Sequence, residues 1–294
     1  MPATMTDRIA AARLAYAEGL RSRVPLRSPA LVAAFASVPR EAFVGPPPWR
    51  LQDPAEGLDL RSAVRSDPAA LYQDVLVALD RQRGINNGQP SLWALVMDRL
   101  SFPPAMSIVH LGCGTGYYTA ILAELAGEGA DILAVEIEPA LAERARRALR
   151  PWPGVRVVEG DGAHMALPEA DSIVASAGAT HPLARWLDAL KPGGQLLFPM
   201  TSARGPGGML LITRREEGGH AAEFLCGAAF IPFLGARDEE VGDRLGRALS
   251  IDRGASVRSL RRERHPEDRS CWLHGNGWCL SRLEPAAWTG RAPR

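Results

Sequence analysis

The stretch Ile108-Val109-His110-Leu111-Gly112-Cys113-Gly114-Thr115-Gly116 constrains the fold more than any other part of the chain. It opens as a short apolar run, which reads as a buried strand, and closes on three glycines at alternate positions. Behind it, Ala120, Ile121, Ala123, Leu125 and Ala126 form an apolar face at helical spacing. Glycine lets the backbone turn sharply and approach a ligand that a Cβ would hold off. The first turn of the helix offers unpaired N–H groups to a polar or acidic group. Strand, glycine turn and helix together predict the opening of a nucleotide-binding βαβ unit.

Three later stretches fit the same unit. Asp131-Ile132-Leu133-Ala134-Val135-Glu136 reads as a second strand ending on an acid. Glu136 lies where such units place a carboxylate that accepts from both ribose hydroxyls, and Ile137 beside it is assigned to the same site. Val155 to Val158 reads as a third strand running into Gly160-Asp161-Gly162. Asp171 to Ser176 reads as a fourth, opening into Ala177-Gly178-Ala179. The dinucleotide fingerprint GxGxxG ends on a glycine that lets helix and strand pack closely. Here the pattern is GxGxG, with Tyr117 where that last glycine would fall. This opposes a pyrophosphate-binding turn, and with it a dehydrogenase. It suits S-adenosylmethionine, which carries ribose and adenine but no phosphates.

On these residues the chain resembles the class I S-adenosylmethionine-dependent methyltransferases, and among them the protein-L-isoaspartate O-methyltransferases. Val38-Pro39-Arg40-Glu41-Ala42-Phe43-Val44 resembles a segment the latter carry ahead of the glycine motif. Lys191-Pro192-Gly193-Gly194-Gln195-Leu196-Leu197-Phe198-Pro199 and the closing Phe230 to Leu234 follow the same order, so the resemblance covers about Ala30 to Leu234. It implies an α/β fold: a Rossmann-like doubly wound mixed sheet with N-terminal helices and a small C-terminal α+β appendage. The expected segmentation is an N-terminal helical and loop cap (1–100), a cofactor-binding core (101–236) and a C-terminal extension with a hairpin (237–294).

The resemblance also implies a site. Gly112, Gly114 and Gly116 would line the methionine end of the cofactor, with Tyr117 flanking it, Glu136 on the ribose, and Asp161 and Gly162 beside the adenine. Ser176, at the end of the fourth strand, joins this set. Two positions depart from the pattern. His110 stands where many class I methyltransferases have an acid that holds the methionine ammonium. Gly88, in Gly84-Ile85-Asn86-Asn87-Gly88-Gln89-Pro90-Ser91, stands where the isoaspartyl enzymes carry a serine that faces the reacting carboxylate.

Methyl transfer from a sulfonium is an in-line displacement, so the protein must align a nucleophile and exclude water. A carboxylate needs no base, whereas a phenol or amine does. His181, in the loop after the fourth strand, is the candidate base, and Asn86, Asn87 and Gln89 are candidates for amide contacts to the acceptor. Carboxyl O-methylation is the first expectation. Gly88, the long 50–68 stretch and the C-terminal addition point to an acceptor other than a generic isoaspartyl peptide, either peptide or small molecule. The alternatives are a small-molecule O-, N- or C-methyltransferase and a non-catalytic module that keeps the fold.

A hydrophobic content of 46% over 294 residues allows a sizeable core. The net charge of +1 gives no general pull toward nucleic acid or an anionic membrane. No apolar run reaches transmembrane length, and Met1 to Ile9 has no signal-like apolar region. Cys113, Cys226, Cys271 and Cys279 are few and scattered, which fits a reducing cytoplasm. With no CxxC pair a zinc site is not expected, and the chemistry calls for no metal.

The remaining stretches read as follows. Helices are expected over Arg8–Arg23, from the Ser28 cap onward, over Thr180–Leu190 and over Asp238–Ile251. Arg50 to Pro68 reads as an inserted loop able to carry a short helix. Ser270 to Leu280 reads as a hairpin whose two tryptophans either wall a substrate pocket or pack the extension onto the core, packing being the favoured reading, and Trp288 to Arg294 as a frayed end.

Overall fold

Thr4 starts the first helix with a reciprocal cap. Its hydroxyl accepts from the Asp7 N–H at 3.2 Å while the Asp7 carboxylate accepts from the Thr4 N–H at 3.0 Å. The computed structural model describes residues 4–54, 63–203 and 207–285. They form α1 (Met5–Arg23), α2 (Pro29–Ser37), β1 (Trp49–Gln52), β2 (Ala63–Arg65), β3 (Leu76–Asp80), β4 (Ile85–Asn86) and α3 (Pro90–Met97). The alternating core follows as β5 (Ser107–Leu111), α4 (Tyr117–Ala126), β6 (Asp131–Glu136), α5 (Pro139–Ala148), β7 (Val155–Glu159), β8 (Ala170–Ala175), α6 (Ala184–Asp188) and β9 (Leu190–Thr201). The chain then continues through β10 (Gly207–Arg214), β11 (His220–Ala228), α7 (Glu239–Asp252), β12 (Ser259–Arg261), β13 (Cys271–Gly275) and β14 (Trp278–Ser281).

The chain divides into two compact units that interleave along the sequence: Met1–Ala105 with Cys113–Ala130 and Glu138–Val157, and Met106–Gly112 with Asp131–Ile137 and Val158–Arg294. In the first, Ser28 caps α2 as its spacing predicts, accepting from the Leu31 N–H at 3.3 Å. The four-stranded sheet β2-β1-β3-β4 buries Trp49, Leu51, Leu71, Val75 and Val77 in a core of its own. The inserted loop expected over 50–68 is in part a pair of antiparallel strands, β1 and β2, because Trp49 and Leu51 alternate inward. Among the described residues a 3-10 turn at Pro68–Leu71 stands at the end of that stretch; residues 55–62 lie outside the described set, as does the expected frayed end at Trp288–Arg294.

The second unit is built on a ten-stranded sheet ordered β13-β14-β12-β11-β10-β9-β8-β5-β6-β7. Strands β9, β8, β5 and β6 run parallel, and β9 through β14 pair antiparallel. The chain moves outward from β5 to β6 and β7, then returns to the other side of β5 as β8. That reversal is a switch point, where open α/β sheets place a ligand crevice beyond the carboxyl ends of the strands. The mixed, doubly wound reading of the sequence therefore holds.

One expected element differs. The helix expected over Thr180–Leu190 is confined to Ala184–Asp188, because Pro182 keeps the preceding residues out of the helical conformation. The C-terminal extension is the expected small α+β addition with a hairpin; its strands β12 to β14 continue the sheet, and Val257, Leu260, Trp272, Leu273, Trp278 and Leu280 belong to the core. Trp272 packs on Phe224 with ring centroids 5.3 Å apart, and its Nε1 donates to Asp252 at 2.8 Å, so the expected packing role stands for it. Among the described residues, no helix is long and apolar enough to cross a membrane.

Candidate active site

Strand ends gather most of the expected cofactor residues of the second unit. His110 sits on β5 with Ala134 and Val174 as its neighbours on β6 and β8. Its Nε2 lies 2.8 Å from the Ser176 hydroxyl, so the pair bridges the switch point between β5 and β8. Burial pushes the His110 pKa down from 6.5 to about 3, so the imidazole is neutral. The Ser176 N–H donates to Leu111 O at 2.9 Å and the Gly112 N–H to Val135 O at 2.8 Å, which fixes the backbone at the strand tips. Glu136, at the end of β6, is only 5% exposed, while Ile137 after it is 38% exposed.

The Gly160 N–H donates to Glu136 O at 3.0 Å, bringing the Gly160-Asp161-Gly162 segment against the end of β6. The Asp161 carboxylate accepts from His164 Nδ1 at 2.7 Å and from the Ala163 N–H at 2.8 Å. Burial opposes its charge, but those two partners outweigh it and hold the carboxyl below the usual range. A Cβ on Gly162 would lie 3.1 Å from Leu111 and 3.2 Å from Phe233, and the Gly162 carbonyl accepts from Trp186 Nε1 at 2.9 Å.

The loop after β8 is braced from three sides. Gly178 exchanges backbone hydrogen bonds with Ile231 and Phe233, Ala179 with Pro199 and Thr201, and the Thr180 N–H donates to Ala236 O. Arg237 donates to the carbonyls of Gly178, Thr201 and Ser202 at 2.7–3.1 Å and to the Thr201 hydroxyl at 2.6 Å. His181 is half-buried, with Nδ1 3.0 Å from the Thr180 hydroxyl and its ring stacked on Trp278 at 6.2 Å. Burial lowers its pKa, with Asp238 opposing and Arg237 adding, which favours a neutral ring able to accept a proton.

In the first unit, the two glycines that follow Gly112 in the motif behave as the turn requires. Gly116 has φ +93°, and an added Cβ would meet Leu149 at 2.6 Å, so only glycine starts α4 there. Gly114 has φ +59°, and the space around an added Cβ is open to 4 Å. Thr115 between them is buried. Tyr117, expected to flank the cofactor, instead turns its ring into the aromatic core: it is 2% exposed, packs on Phe35 and Phe43, and its hydroxyl lies 3.3 Å from that of Tyr16. At the start of α4 an apolar ring gains more from that core than from a polar pocket.

The Gly84–Ser91 loop is likewise in the first unit. Asn87 is 8% exposed; its Oδ1 accepts from the Val77 N–H at 3.0 Å and from Arg40 at 3.1 Å, and its Nδ2 is buried without a hydrogen-bond partner. The Gln89 amide donates to Asp74 at 3.0 Å and to Ser91 at 3.1 Å, so it braces the loop. Asn86 Oδ1 accepts from the Gly88 N–H at 2.9 Å, closing a tight turn. Gly88 has φ +75°, and an added Cβ would stand 2.7 Å from Trp93 Nε1 and 3.1 Å from Tyr118. Trp93 and Tyr118 stack at 4.9 Å, and the Tyr118 hydroxyl donates to Gly88 O at 3.1 Å. The volume a serine side chain would need is thus filled by aromatic rings.

Arg40, Asp74 and Arg237 were not singled out by sequence reasoning. Arg40 stands inside a segment picked only for its resemblance, and none of the three lies in a chemical motif. Their local sequence carries no signal for them, because Arg40, Asp74 and Arg237 each act through partners 15 or more residues away.

The family described as protein-L-isoaspartate(D-aspartate) O-methyltransferase (PCMT) has a sequence profile that matches residues 61–238. The chain belongs to this family. It is an S-adenosylmethionine-dependent methyltransferase by that membership. It is 32% identical over 217 residues to protein-L-isoaspartate O-methyltransferase 1 of Anaeromyxobacter sp. (strain Fw109-5), covering 72% of this chain and 91% of that one. It is 31% identical over 229 residues to the protein-L-isoaspartate O-methyltransferase of Methanopyrus kandleri, covering 76% and 92%. Among solved structures, a Plasmodium falciparum protein-L-isoaspartate O-methyltransferase in complex with S-adenosyl-L-homocysteine shares the fold. Its TM-score is 0.59 at 15% identity, covering 76% of this chain and 98% of that one.

Proposed function

We propose that the chain methylates a carboxylate of a peptide or protein, the side-chain carboxylate of an isoaspartyl residue being the acceptor its relatives' names point to. This runs against the expectation of a different acceptor drawn from Gly88. One observation carries the cofactor half of the reading: a buried carboxylate, Glu136, closes the strand next to the glycine turn of a switch-point sheet. The residues fit S-adenosylmethionine. Gly114 leaves open space where a Cβ would stand, Ile137 offers an exposed apolar side chain one residue beyond Glu136, and Asp161 keeps an ionised carboxylate. In this reading Glu136 takes the ribose hydroxyls, Ile137, Asp161 and Gly162 take the adenine, and Gly112, Gly114 and Gly116 take the methionine end. His110 stays neutral and orients Ser176, so the methionine ammonium is left to backbone carbonyls.

Bound S-adenosylmethionine supplies a methyl group already activated on a sulfonium. The protein's task is to hold an ionised acceptor in line and keep water out. A carboxylate acceptor leaves His181 no proton to remove, so its role there is contact and shape. Location in the cytoplasm is part of this proposal and rests on four cysteines that form no disulfide. Two measurements test it: calorimetry with S-adenosylmethionine, and transfer of labelled methyl to an isoaspartyl peptide beside its aspartyl isomer, read as a base-labile ester. Binding with ester formation on the isoaspartyl peptide alone is the expected result. Binding without ester on either peptide would favour the second reading, a different acceptor, for which the Trp93-filled space at Gly88 is the specific observation.

A further inference from the structure

The C-terminal hairpin brings together His265, Cys271, His274 and Cys279, whose ligand atoms all lie within 4.8 Å of one another. No CxxC pair announces them, and the expectation that the chain has no zinc site missed a Cys271-x-x-His274 pair. A strand alternates its side chains, so residues three apart should face opposite sides. Here the register of β13 and β14 shifts between Cys271 and Leu273: Cys271 pairs with Ser281, Leu273 with Leu280 and His274 with Cys279. The extra residue, Trp272, is a bulge that returns His274 to the face of Cys271. Ser281 and Cys279 are two apart on β14, so they share that face. The bulge therefore places Cys271, His274 and Cys279 on one side of the hairpin, with Cys271 Sγ 4.0 Å from His274 Nδ1.

The fourth residue comes from the irregular segment 262–270 that joins β12 to β13. His265 Nδ1 lies 2.8 Å from the Pro266 carbonyl, which can only accept, so the proton is on Nδ1. Its Nε2 is then a lone pair, and that atom is buried with no hydrogen-bond partner. The His265 and His274 rings meet edge to face at 4.7 Å. A histidine that gives one nitrogen to a backbone carbonyl and keeps the other bare is arranged as metal-binding histidines are. The backbone N–H of Asp268 points at Cys271 Sγ at 3.4 Å, a contact that supports a thiolate. Both cysteines are buried and neither is in a disulfide.

We propose that His265, Cys271, His274 and Cys279 form a structural zinc site that staples the 262–270 segment to the β13–β14 hairpin. Zinc in structural sites takes four such ligands tetrahedrally, at about 2.3 Å to sulfur and about 2.0–2.1 Å to nitrogen. That geometry spaces the ligand atoms by roughly 3.3–3.8 Å, so closing the observed set needs movements of about 1 Å or less. Four protein ligands leave no open position for water, so the metal is structural and takes no part in methyl transfer. Two thiolates exclude calcium and magnesium, which take oxygen ligands.

The test uses the full chain, purified without a histidine tag. Elemental analysis should find about one zinc per chain. After chelation, titration with Co(II) should give the intense d–d bands of a tetrahedral site and a thiolate-to-metal charge-transfer band, both abolished by one equivalent of zinc. Chelation should lower the melting temperature and zinc should restore it. The Cys271→Ser/Cys279→Ser variant should lose the charge-transfer band. If that variant does not fold, His265→Gln with the cobalt spectrum of the native chain decides the matter, since three remaining ligands shift the bands. A native chain that isolates without zinc and shows no tetrahedral cobalt spectrum overturns the proposal. So does a Cys271–Cys279 disulfide, seen as thiols that resist alkylation until reduced.

Discussion

Arg40 donates to Asn87 Oδ1 at 3.1 Å, tying the Val38–Val44 segment to the Gly84–Ser91 loop from 47 residues away in the chain. The same guanidinium donates to the carbonyls of Leu71, Gln73 and Val75 at 2.6–3.0 Å. It lies over the Tyr117 ring at 5.7 Å, and the residue is fully buried. A planar fork with five donors suits this cage of carbonyls, and an ammonium does not.

Replacing it should therefore cost stability before it costs chemistry. Arg40→Met keeps the aliphatic stem but strands several buried acceptors, for a loss of about 3–5 kcal/mol. Arg40→Lys should recover little of that. Urea unfolding of the three proteins, followed by tryptophan fluorescence, checks the order.

Gly88 is held by two effects, its positive φ and the Trp93 and Tyr118 rings against it. Gly88→Ser should destabilise the protein by about 1–3 kcal/mol and leave isoaspartyl turnover no higher. Adding Trp93→Leu should return part of the lost stability by vacating the space. Melting temperatures and labelled-methyl transfer for the single and double variants measure both effects. A gain of turnover in the single variant would mean that Trp93 yields and that the hydroxyl was the missing part.

Glu136→Ala should weaken S-adenosylmethionine binding while the far-ultraviolet spectrum stays native. The loss of a charge-assisted contact to two hydroxyls is worth about 1.5–3 kcal/mol, or roughly a ten- to hundredfold rise in Kd. Calorimetry gives the number directly. Glu136→Gln keeps the shape and should fall between the two.

What the sequence made legible was local: β5, its glycine turn and α4, the acid at the end of β6, the Ser28 helix cap, the helix from Asp238, and the hairpin around Asn276-Gly277. Each depends on residues within a few positions of one another. What it hid depends on distant partners. Gly88 could be seen to lack a hydroxyl, but not that Trp93 fills the gap. Tyr117 could be placed after the turn, but its ring direction is set by Phe35 and Phe43 from other elements. The start of the expected helix at Thr180 is lost to Pro182, and what stayed hidden there is where the backbone bonds go instead, Ala179 to Pro199 and Thr201 and Thr180 to Ala236. The Cys271–His274 pair was hidden by strand alternation, and only a one-residue bulge puts both on one face.

His110 makes the last prediction, on pH. Its folded pKa is about 3 against an ordinary 6.5, because burial disfavours the charged ring. Between those values the unfolded chain binds a proton at this residue and the native chain does not. Stability therefore falls as pH is lowered through that window, by about 1.4 kcal/mol per pH unit from this group, or roughly 2 kcal/mol between pH 6.5 and 5. His220, lowered to about 4 by burial first and by Arg262 and Arg214 next, acts in the same direction, so wild type alone does not isolate His110. His110→Asn does, since an amide can still reach Ser176 and does not titrate. Urea midpoints from pH 7.5 to 5 should fall less steeply in the variant than in wild type, by about that slope, with the two curves running parallel above pH 7. Equal slopes throughout would mean that His110 is protonated in the native state, where it would stand as a cation beside the Ser176 hydroxyl at the switch point.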